Sequence, residues 1–273
     1  MQTGYYSSAA GMVTQFNRLN TISNNLANVN TNGYKEDDLI VGDFMRLYQQ
    51  KRDELPNEDN TKEAAKFLNR TMVRAPQVVD EYTDFSVGNL EKTSNALDVA
   101  LSREDLFFAV ETPAGIRFTR DGSFSLDDEG KLVTKEGYKV LGDDYMQSKD
   151  GISFSTTDSV ITIDKNGQIN TNVPGSATFT VKKKLFIATI DNLKYLQKEG
   201  DNLYKLDDMS RMEMNEESGA VKQGFLEKSN VNAVKMMTQL IETNRLMGMY
   251  QKAMETQMNE MNKDAIEKIA RKA

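Results

Sequence analysis

The chain has 273 residues, a formal net charge of −7 at pH 7, and no cysteine, histidine or tryptophan. The missing cysteines exclude disulfides and thiolate metal sites, and the missing histidines exclude Ser–His–Asp and Cys–His nucleophiles. Lysine and arginine are scattered along the chain, so nucleic acid is not an expected partner, and we expect neither catalysis nor a cofactor.

The first residues, Gln2 to Val29, predict one amphipathic helix. Its apolar positions recur at alternating steps of four and three, namely Tyr5, Ala9, Met12, Phe16, Leu19 and Leu26. Ordering such a helix costs roughly 1–2 kcal/mol per residue in backbone entropy, whereas each buried apolar side chain returns only about 1.5–3 kcal/mol. We therefore expect the helix to need a partner, and the termini of a free monomer to be mobile until assembly.

The last 45 or so residues predict a second long helix, which Ser229 or Asn230 is placed to cap. Leu240, Met247, Met254 and Met261 recur every seven residues, with Met237, Met258 and Ala265 at companion positions. Such a stripe is usually ordinary core. Two stripes at opposite ends of one chain favour an assembly interface, and methionine suits non-identical neighbours because it adapts its shape.

An asparagine-dense segment, Asn24 to Lys35, follows the first helix. Asn32-Gly33 indicates a turn. Amides that are buried across a helix interface and fix its register would explain the crowding, and Asn25, Asn28 and Asn32 are the candidates.

The centre of the chain, from Gln77 onward, changes to a period of two and predicts a β-rich domain. The predicted strands are Val78–Tyr82, Ala96–Leu101, Phe107–Glu111, Gly115–Arg120, Ser123–Leu126, Leu132–Thr134, Tyr138–Leu141, Val160–Ile163, Gln168–Asn170, Ala177–Thr180, Phe186–Ile190 and Leu203–Lys205. Asp127–Gly130 and Asp164–Gly167 read as hairpin loops, because neither has the glycine position of a calcium loop. Between the first helix and this domain, Phe44, Leu47 and Tyr48 and the segment Thr61–Met72 have helical spacing, on either side of a polar loop, Lys51–Asn60.

Four stretches resemble bacterial flagellar rod and hook proteins. They are Asn25–Lys35, Gly88–Leu101, Phe118–Gly142 and Leu226–Val234. One departure is Arg103–Phe108, where that family commonly has a Gly-Asp-Gly-Phe-Phe turn. Without glycine, the loop here should differ in backbone shape.

The resemblance implies an α+β fold in which long terminal helices form a coiled-coil-like bundle, which builds the inner tube of a shaft, while a central β-rich domain faces outward. The expected domains are a discontinuous helical assembly domain (1–35 and 226–273), a subtype-specific stretch (36–76) and a β-rich outer domain (77–225). The expected assembly interface consists of Met12, Phe16, Leu19, Asn25, Leu26, Asn28, Asn32, Met237, Leu240, Met247, Met254, Met258 and Met261.

The resemblance also implies a function: a structural subunit of the flagellar basal-body rod that transmits torque across the periplasm. The expected partners are copies of the chain itself, neighbouring rod proteins and the flagellar type III export apparatus. Export without a cleaved signal agrees with an N-terminus that shows no signal pattern, and no apolar run is long enough for a membrane span. The tail segments Ile241–Leu246, Met254–Thr256 and Ala265–Lys268 favour the proximal-rod FlgF type over the distal-rod FlgG type.

Two other classes stay open on the residues alone. A secreted adhesin or interaction module could also place paired terminal helices around a β domain. A carboxylate enzyme acting on cell-wall glycans would need two acids facing one cleft. The candidates for the latter, Asp121, Asp127, Asp143 and Asp164, are better explained as turn residues.

Overall fold

The computed structural model describes residues 2–43, 76–145, 151–154, 160–172, 180–215 and 219–270. The fold is α+β, as predicted, with one long helix near each end and a β-rich centre. Contacts divide the chain into a helical unit, Met1–Ala27, Asp37–Thr83 and Asn232–Ala273, and a β unit, Asn28–Glu36 and Asp84–Val231.

The described elements begin and end as follows. The helices are α1 (Gln2–Ala27) and α2 (Ala233–Ala270). The strands are β1 (Glu36–Asp43), β2 (Pro76–Asp84), β3 (Leu90–Lys92), β4 (Val99–Leu101), β5 (Leu106–Thr112), β6 (Gly115–Thr119), β7 (Ser125–Leu126), β8 (Leu132–Val133), β9 (Lys139–Val140), β10 (Val160–Ile163), β11 (Gln168–Asn172), β12 (Thr180–Lys184), β13 (Ile187–Ile190), β14 (Leu196–Gly200), β15 (Leu203–Leu206), β16 (Met212–Met214), β17 (Val221–Gln223) and β18 (Phe225–Glu227).

The helical unit contains both helices and a two-stranded ribbon of β1 and β2. The hydroxyl of Thr14 in α1 donates to the carbonyl oxygen of Pro76 at 2.8 Å, which ties the ribbon to the helix. Strand β1 was not predicted, because it begins with three acidic residues and its apolar run is too short to give a clear pattern. The helical spacing expected around Phe44 and over Thr61–Met72, and the loop between them, lie outside the described residues.

The start of α2 differs from the expected capping. The helix begins at Ala233, and the side-chain oxygen of Asn232 accepts the backbone N–H of Lys235 at 3.1 Å. Asn232 therefore takes the capping role expected of Ser229 or Asn230. Ser229 instead accepts the N–H of Val231 through its hydroxyl.

The β unit is built around a large sheet with the strand order β14-β15-β6-β5-β9-β8-β7, to which β13 and β16 are added through β5. Strand β5 is buried on both faces: Leu106, Phe108 and Val110 pack in one apolar cluster, and Phe107 and Ala109 in another. This double burial explains why β5 reads as a continuous apolar run rather than an alternating one.

Two hairpins confirm the predicted loops and share one turn chemistry. The β7–β8 turn carries Asp127 and Gly130, and the β10–β11 turn carries Asp164 and Gly167. In each, the aspartate carboxylate accepts the backbone N–H groups two and four residues later, at 2.7 to 2.9 Å. Both glycines have positive φ, +77° and +79°, which favours glycine there.

Several short strands escaped prediction. Strand β18 pairs with β3 and strand β17 pairs with β4, which places Leu226 in a sheet. Strands β3, β17 and β18, which were not predicted, have three residues each, too few for a periodic pattern to register. The predicted strand Ala96–Leu101 begins only at Val99, because the side-chain oxygen of Asn95 accepts the N–H of Leu97 in a turn.

Candidate assembly surface and buried ionic junction

Helices α1 and α2 pack side by side and antiparallel. A Cβ built on Gly11 would lie 2.4 Å from the ring of Tyr250, and one on Gly4 would lie 2.6 Å from the amide of Gln257. Each step of seven residues along α1 therefore matches a step of seven back along α2. Two further steps from Gly11 reach Asn25, whose amide nitrogen lies 3.9 Å from the sulfur of Met236. The contact thus keeps a seven-residue repeat along α1 from Gly4 to Asn25.

The predicted stripe on α2 does not include the three residues that contact Gly4, Gly11 and Asn25, which are Gln257, Tyr250 and Met236. Leu240, Met247, Met254 and Met261 are all half-buried. The residues that alternate with them are Met236, Thr243, Tyr250 and Gln257, of which Met236 and Thr243 are almost fully buried. The expected companions Met237 and Met258 are about half exposed in this chain, at 53% and 49%.

The α1 side is offset from the predicted stripe by one residue. Met12, Leu19 and Leu26 are half-buried, and Phe16 is 53% exposed. The most buried positions are instead Ser8, Gly11, Thr14, Gln15, Ile22 and Asn25. Ser8, Gly11, Thr14 and Gln15 are small or polar and carry no hydrophobic signal, so the apolar spacing did not reveal them.

Large apolar side chains are exposed on both helices. They are Tyr6, Val13 and Phe16 on α1, and Val234, Met237, Ile241, Leu246, Met249, Met258 and Ile266 on α2. Single exposed apolar residues are ordinary, but so many along two helices are typical of an interaction surface. We call these ten residues the apolar helix surface.

The three candidate asparagines bond mainly to chain segments near the end of α1. In the helical unit, the Asn25 amide donates to the carbonyl oxygen of Asp37 at 2.7 Å and accepts the N–H of Asp37 at 3.0 Å. In the β unit, the side-chain oxygen of Asn28 accepts from the Thr31 hydroxyl, and that of Asn32 accepts from the Lys228 ammonium at 3.1 Å.

The centre of the β unit holds a cluster of buried charges, which we call the ionic junction: Lys35, Arg120 and Glu227. All three side chains are fully buried. The Lys35 ammonium lies 2.6 Å from one oxygen of the Glu227 carboxylate, and the Arg120 guanidinium lies 2.7 Å from the other. One carboxylate thus joins two cations.

Backbone groups complete the ionic junction. The N–H of Gly88 donates to the Glu227 carboxylate at 2.9 Å, and the Lys35 ammonium donates to the carbonyl oxygen of Ser86 at 2.7 Å. The N–H of Gly33 donates to the backbone oxygen of Glu227 at 2.8 Å. Buried charges are tolerated only when their partners are in place in this way.

Gly33 and Gly88 both allow chain segments around the ionic junction to approach closely. Gly33 has a φ of +68°, and a Cβ there would lie 2.5 Å from the backbone nitrogen of Asp121. A Cβ on Gly88 would lie 1.9 Å from the carbonyl oxygen of Lys228.

The ionic junction also changes the pKa of Lys35. Burial, and secondly the Arg120 guanidinium, lower the pKa of Lys35 from 10.5 to about 8, although the Glu227 carboxylate opposes them.

Sequence reasoning missed the ionic junction. Lys35, Arg120 and Glu227 each lie within a stretch that carries the flagellar resemblance, but they are far apart in the chain. No local pattern marks these charges, since Arg120, for example, lies between Thr119 and Asp121. Within the described residues, no group of three or more acidic side chains is placed to hold a metal ion.

Long helices with exposed apolar side chains, in a chain that also has a β unit locked by buried charges, are typical of a structural, assembly-forming class of protein. Three family profiles match the chain: Flagella basal body rod protein at residues 6–35, Flagellar hook protein FlgE/F/G D1 domain at 105–171, and Flagellar basal body rod FlgEFG protein C-terminal at 222–267. Together they cover both helices and part of the β unit.

Whole-chain relatives agree. The flagellar basal-body rod protein FlgG of Agrobacterium fabrum is 34% identical over 255 residues, covering 91% of this chain and 92% of the relative. The FlgG of Borreliella burgdorferi is 30% identical and covers 95% of this chain and 96% of its own length. The FlgF of Caulobacter vibrioides is 27% identical over 99% of both chains. The chain therefore belongs to the flagellar basal-body rod protein family and is a structural rod protein.

Proposed function

We propose that this chain assembles with copies of itself and with neighbouring rod proteins through α1 and α2, and that the resulting shaft transmits torque across the periplasm. Family membership supports a rod, and the apolar helix surface supports assembly through the helices. Burying a large apolar side chain contributes about 1.5–3 kcal/mol. Several such residues per subunit would give a stable contact.

The seven-residue contact between α1 and α2 supports a coiled-coil-like arrangement. Gln257 lies opposite Gly4, near the start of α1, yet α2 runs on to Ala270. At about 1.5 Å per residue, roughly 20 Å of α2 extends beyond Gln257. The exposed side chains of Met258 and Ile266 lie on this extension, where a neighbouring subunit would cover them.

The expected route and place follow from the same proposal. The chain would leave the cytoplasm through the flagellar type III export apparatus and become part of the rod in the periplasmic space. Neither of the two described helices has an apolar stretch suited to crossing a bilayer. The proximal-rod FlgF type stays a prediction, because relatives named FlgG and FlgF both align along almost the whole chain.

The proposed role is mechanical, and the acidic residues support that view. Asp127 and Asp164 bond to the backbone of their own turns. Asp121 accepts the backbone N–H and the hydroxyl of Ser123. Each of these carboxylates thus stabilises a local turn, which is a structural role.

Charged substitutions on the apolar helix surface test the proposal. In a strain that lacks this gene, Phe16→Asp or Ile241→Asp should abolish rods in isolated basal bodies and abolish swimming, because each buries a charge in the subunit contact. The matched control is Val160→Asp, which changes a half-exposed residue of the β unit. Normal rods in both helix variants would contradict assembly through this surface.

A further inference from the structure

The chain crosses between its two units at four places, and β-unit residues beside three of these crossings are joined by hydrogen bonds. The crossings are 27/28, 36/37, 83/84 and 231/232. The β-unit residues beside three of them are Glu36, Asp84 and Val231. Lys35, which precedes Glu36, and Glu227, shortly before Val231, belong to the junction itself.

One side chain connects the three crossings directly. The Asn230 side-chain oxygen accepts the backbone N–H of Glu36 at 2.8 Å. Its amide nitrogen donates to the carbonyl oxygen of Asp84 at 2.8 Å and reaches the hydroxyl of Ser86 at 3.1 Å. Asn230 itself directly precedes Val231. A single carboxamide therefore fastens three chain segments where they leave the β unit.

The fourth crossing is fastened nearby. The segment that begins at Asn28 is held at Asn32, which accepts from the Lys228 ammonium at 3.1 Å, and at Gly33, whose N–H donates to Glu227. The Asn32 backbone oxygen also accepts from the amide of Asn202 at 3.0 Å. A hydrogen-bonded network thus holds the chain at all four crossings.

We propose that Asn230 and the ionic junction form a mechanical joint, which passes load between the covalent links to the helices and the β unit. This inference rests on the proposed function, because only a rotating shaft loads these links. Force transmitted along a linking segment would act on the buried, charge-paired residues of the ionic junction rather than on a free loop. Charge-assisted hydrogen bonds are the strong ones, which suits such an anchor.

The joint assigns distinct roles to its residues. Glu227 is the anchor, since it binds the segment Asn28–Glu36 twice: its carboxylate pairs with Lys35, and its backbone oxygen accepts the N–H of Gly33. Lys35 and Arg120 position that carboxylate from two sides. Asn230 is the positioning residue that keeps the exits at Glu36 and Asp84 together. None of these contacts depends on the apolar helix surface, so the joint and the assembly surface can be tested separately.

Rotation under load provides the test, with the full-length chain expressed in a strain that lacks its gene. Asn230→Ala removes the four hydrogen bonds of the carboxamide, and we expect normal numbers of basal bodies and normal bead rotation at low load. At high load we expect about tenfold shorter motor lifetimes, the rate change that losing a hydrogen bond or two can bring. The matched control is Asn192→Ala, which removes an asparagine that caps a short turn in the same unit.

A second variant covers the case in which Asn230→Ala lowers the amount of folded protein. Lys228→Met removes the ammonium that bonds Asn32, and its partly exposed position makes the substitution tolerable. We expect the same shortening of motor lifetime at high load. Lifetimes equal to wild type at every load, in both variants, would overturn the joint.

The remaining outcomes separate the two proposals. Loss of basal bodies in variants whose purified protein melts like wild type also overturns the joint, because the substituted residues would then act in assembly. If the wild-type gene itself fails to restore rods, the proposed function fails instead.

Discussion

The ring of Tyr250 in α2 occupies the space in which a side chain on Gly11 of α1 would begin. A Cβ at residue 11 would lie 2.4 Å from the ring, far inside van der Waals contact. Glycine in a helix interior normally costs about 1 kcal/mol relative to alanine. Gly11 therefore belongs to the contact between the helices, where it admits an aromatic ring at close range.

We predict that Gly11→Ala disrupts this contact, because the added methyl group must displace Tyr250 at a cost of about 1–3 kcal/mol. Hydrogen exchange in α1 should become faster in isolated basal bodies, where both helices are expected to be protected. The matched control is Gly248→Ala in α2, where a Cβ would meet nothing within 4 Å and higher helix propensity should make exchange slower. Tyr250→Ala should partly restore protection to Gly11→Ala, and equal exchange in Gly11→Ala and wild type would contradict the contact.

This contact also shows what the sequence could predict. On α2, apolar residues that recur every seven positions, at Leu240, Met247 and Met254, predicted the helix, whereas the residues that contact Gly11 and Asn25 are Tyr250 and Met236. On α1 the most buried positions include Gly11, Gln15 and Asn25, one residue before the predicted ones. Hydrophobic spacing cannot reveal a position chosen for its small size, because close approach depends on the partner side chain.

The β unit likewise contains features that the sequence could predict and features that it could not. The turns at Asp127 and Asp164 were predictable, because a local Asp-to-backbone pattern and a glycine with positive φ determine them. The ionic junction was not, because pairing Lys35 with Glu227 depends on how distant segments meet in space. A single sequence contains the charges and the glycines but no record of that proximity.

The lowered pKa of Lys35 predicts an unusual pH dependence. A lysine whose pKa is about 8 when folded and 10.5 when unfolded binds more protons in the unfolded chain between these values. Stability from this group therefore rises as pH increases from 8 to 10.5, by up to about 3 kcal/mol. Below pH 8 the cost of burying the charge is fully present.

Denaturant unfolding of wild type and Lys35→Met across this pH range measures the effect. The other titrating groups are common to both proteins, so the difference between the two curves isolates Lys35. We expect wild type to gain stability relative to Lys35→Met as pH rises. A difference that does not change from pH 8 to 10.5 would show that the Lys35 pKa is not lowered.

Gly122 tests the packing of the β unit. A Cβ there would lie 1.7 Å from the carbonyl oxygen of Val99, and backbone cannot move aside as a flexible side chain can. Gly122→Ala should destabilise the β unit by at least about 3 kcal/mol, measured as a lowered midpoint of thermal unfolding. Gly151→Ala is the matched control, since its nearest contact would be an ordinary 3.6 Å. A similar midpoint for both variants would contradict the described approach of Gly122 to Val99.

Leu19→Asp tests whether the helices act in assembly separately from the β unit. Leu19 is half-buried in α1, and a carboxylate there would be costly to bury in a subunit contact. We predict that rods and motility are lost, while the near-ultraviolet spectrum and the unfolding of the β unit stay as in wild type. Normal rods built from this variant would reject α1 as an assembly element.

Limited proteolysis tests the expected folding of the helices on assembly. The purified chain should be compared with the same chain in isolated basal bodies. We expect protease to remove residues of α1 and α2 from the free chain while the β unit resists, because burial of the apolar helix surface is available only in the rod. In basal bodies both helices should be protected. Equal protection of the helices in the free chain would mean that the contact of α1 with α2 suffices to hold them, and that assembly joins preformed helix pairs.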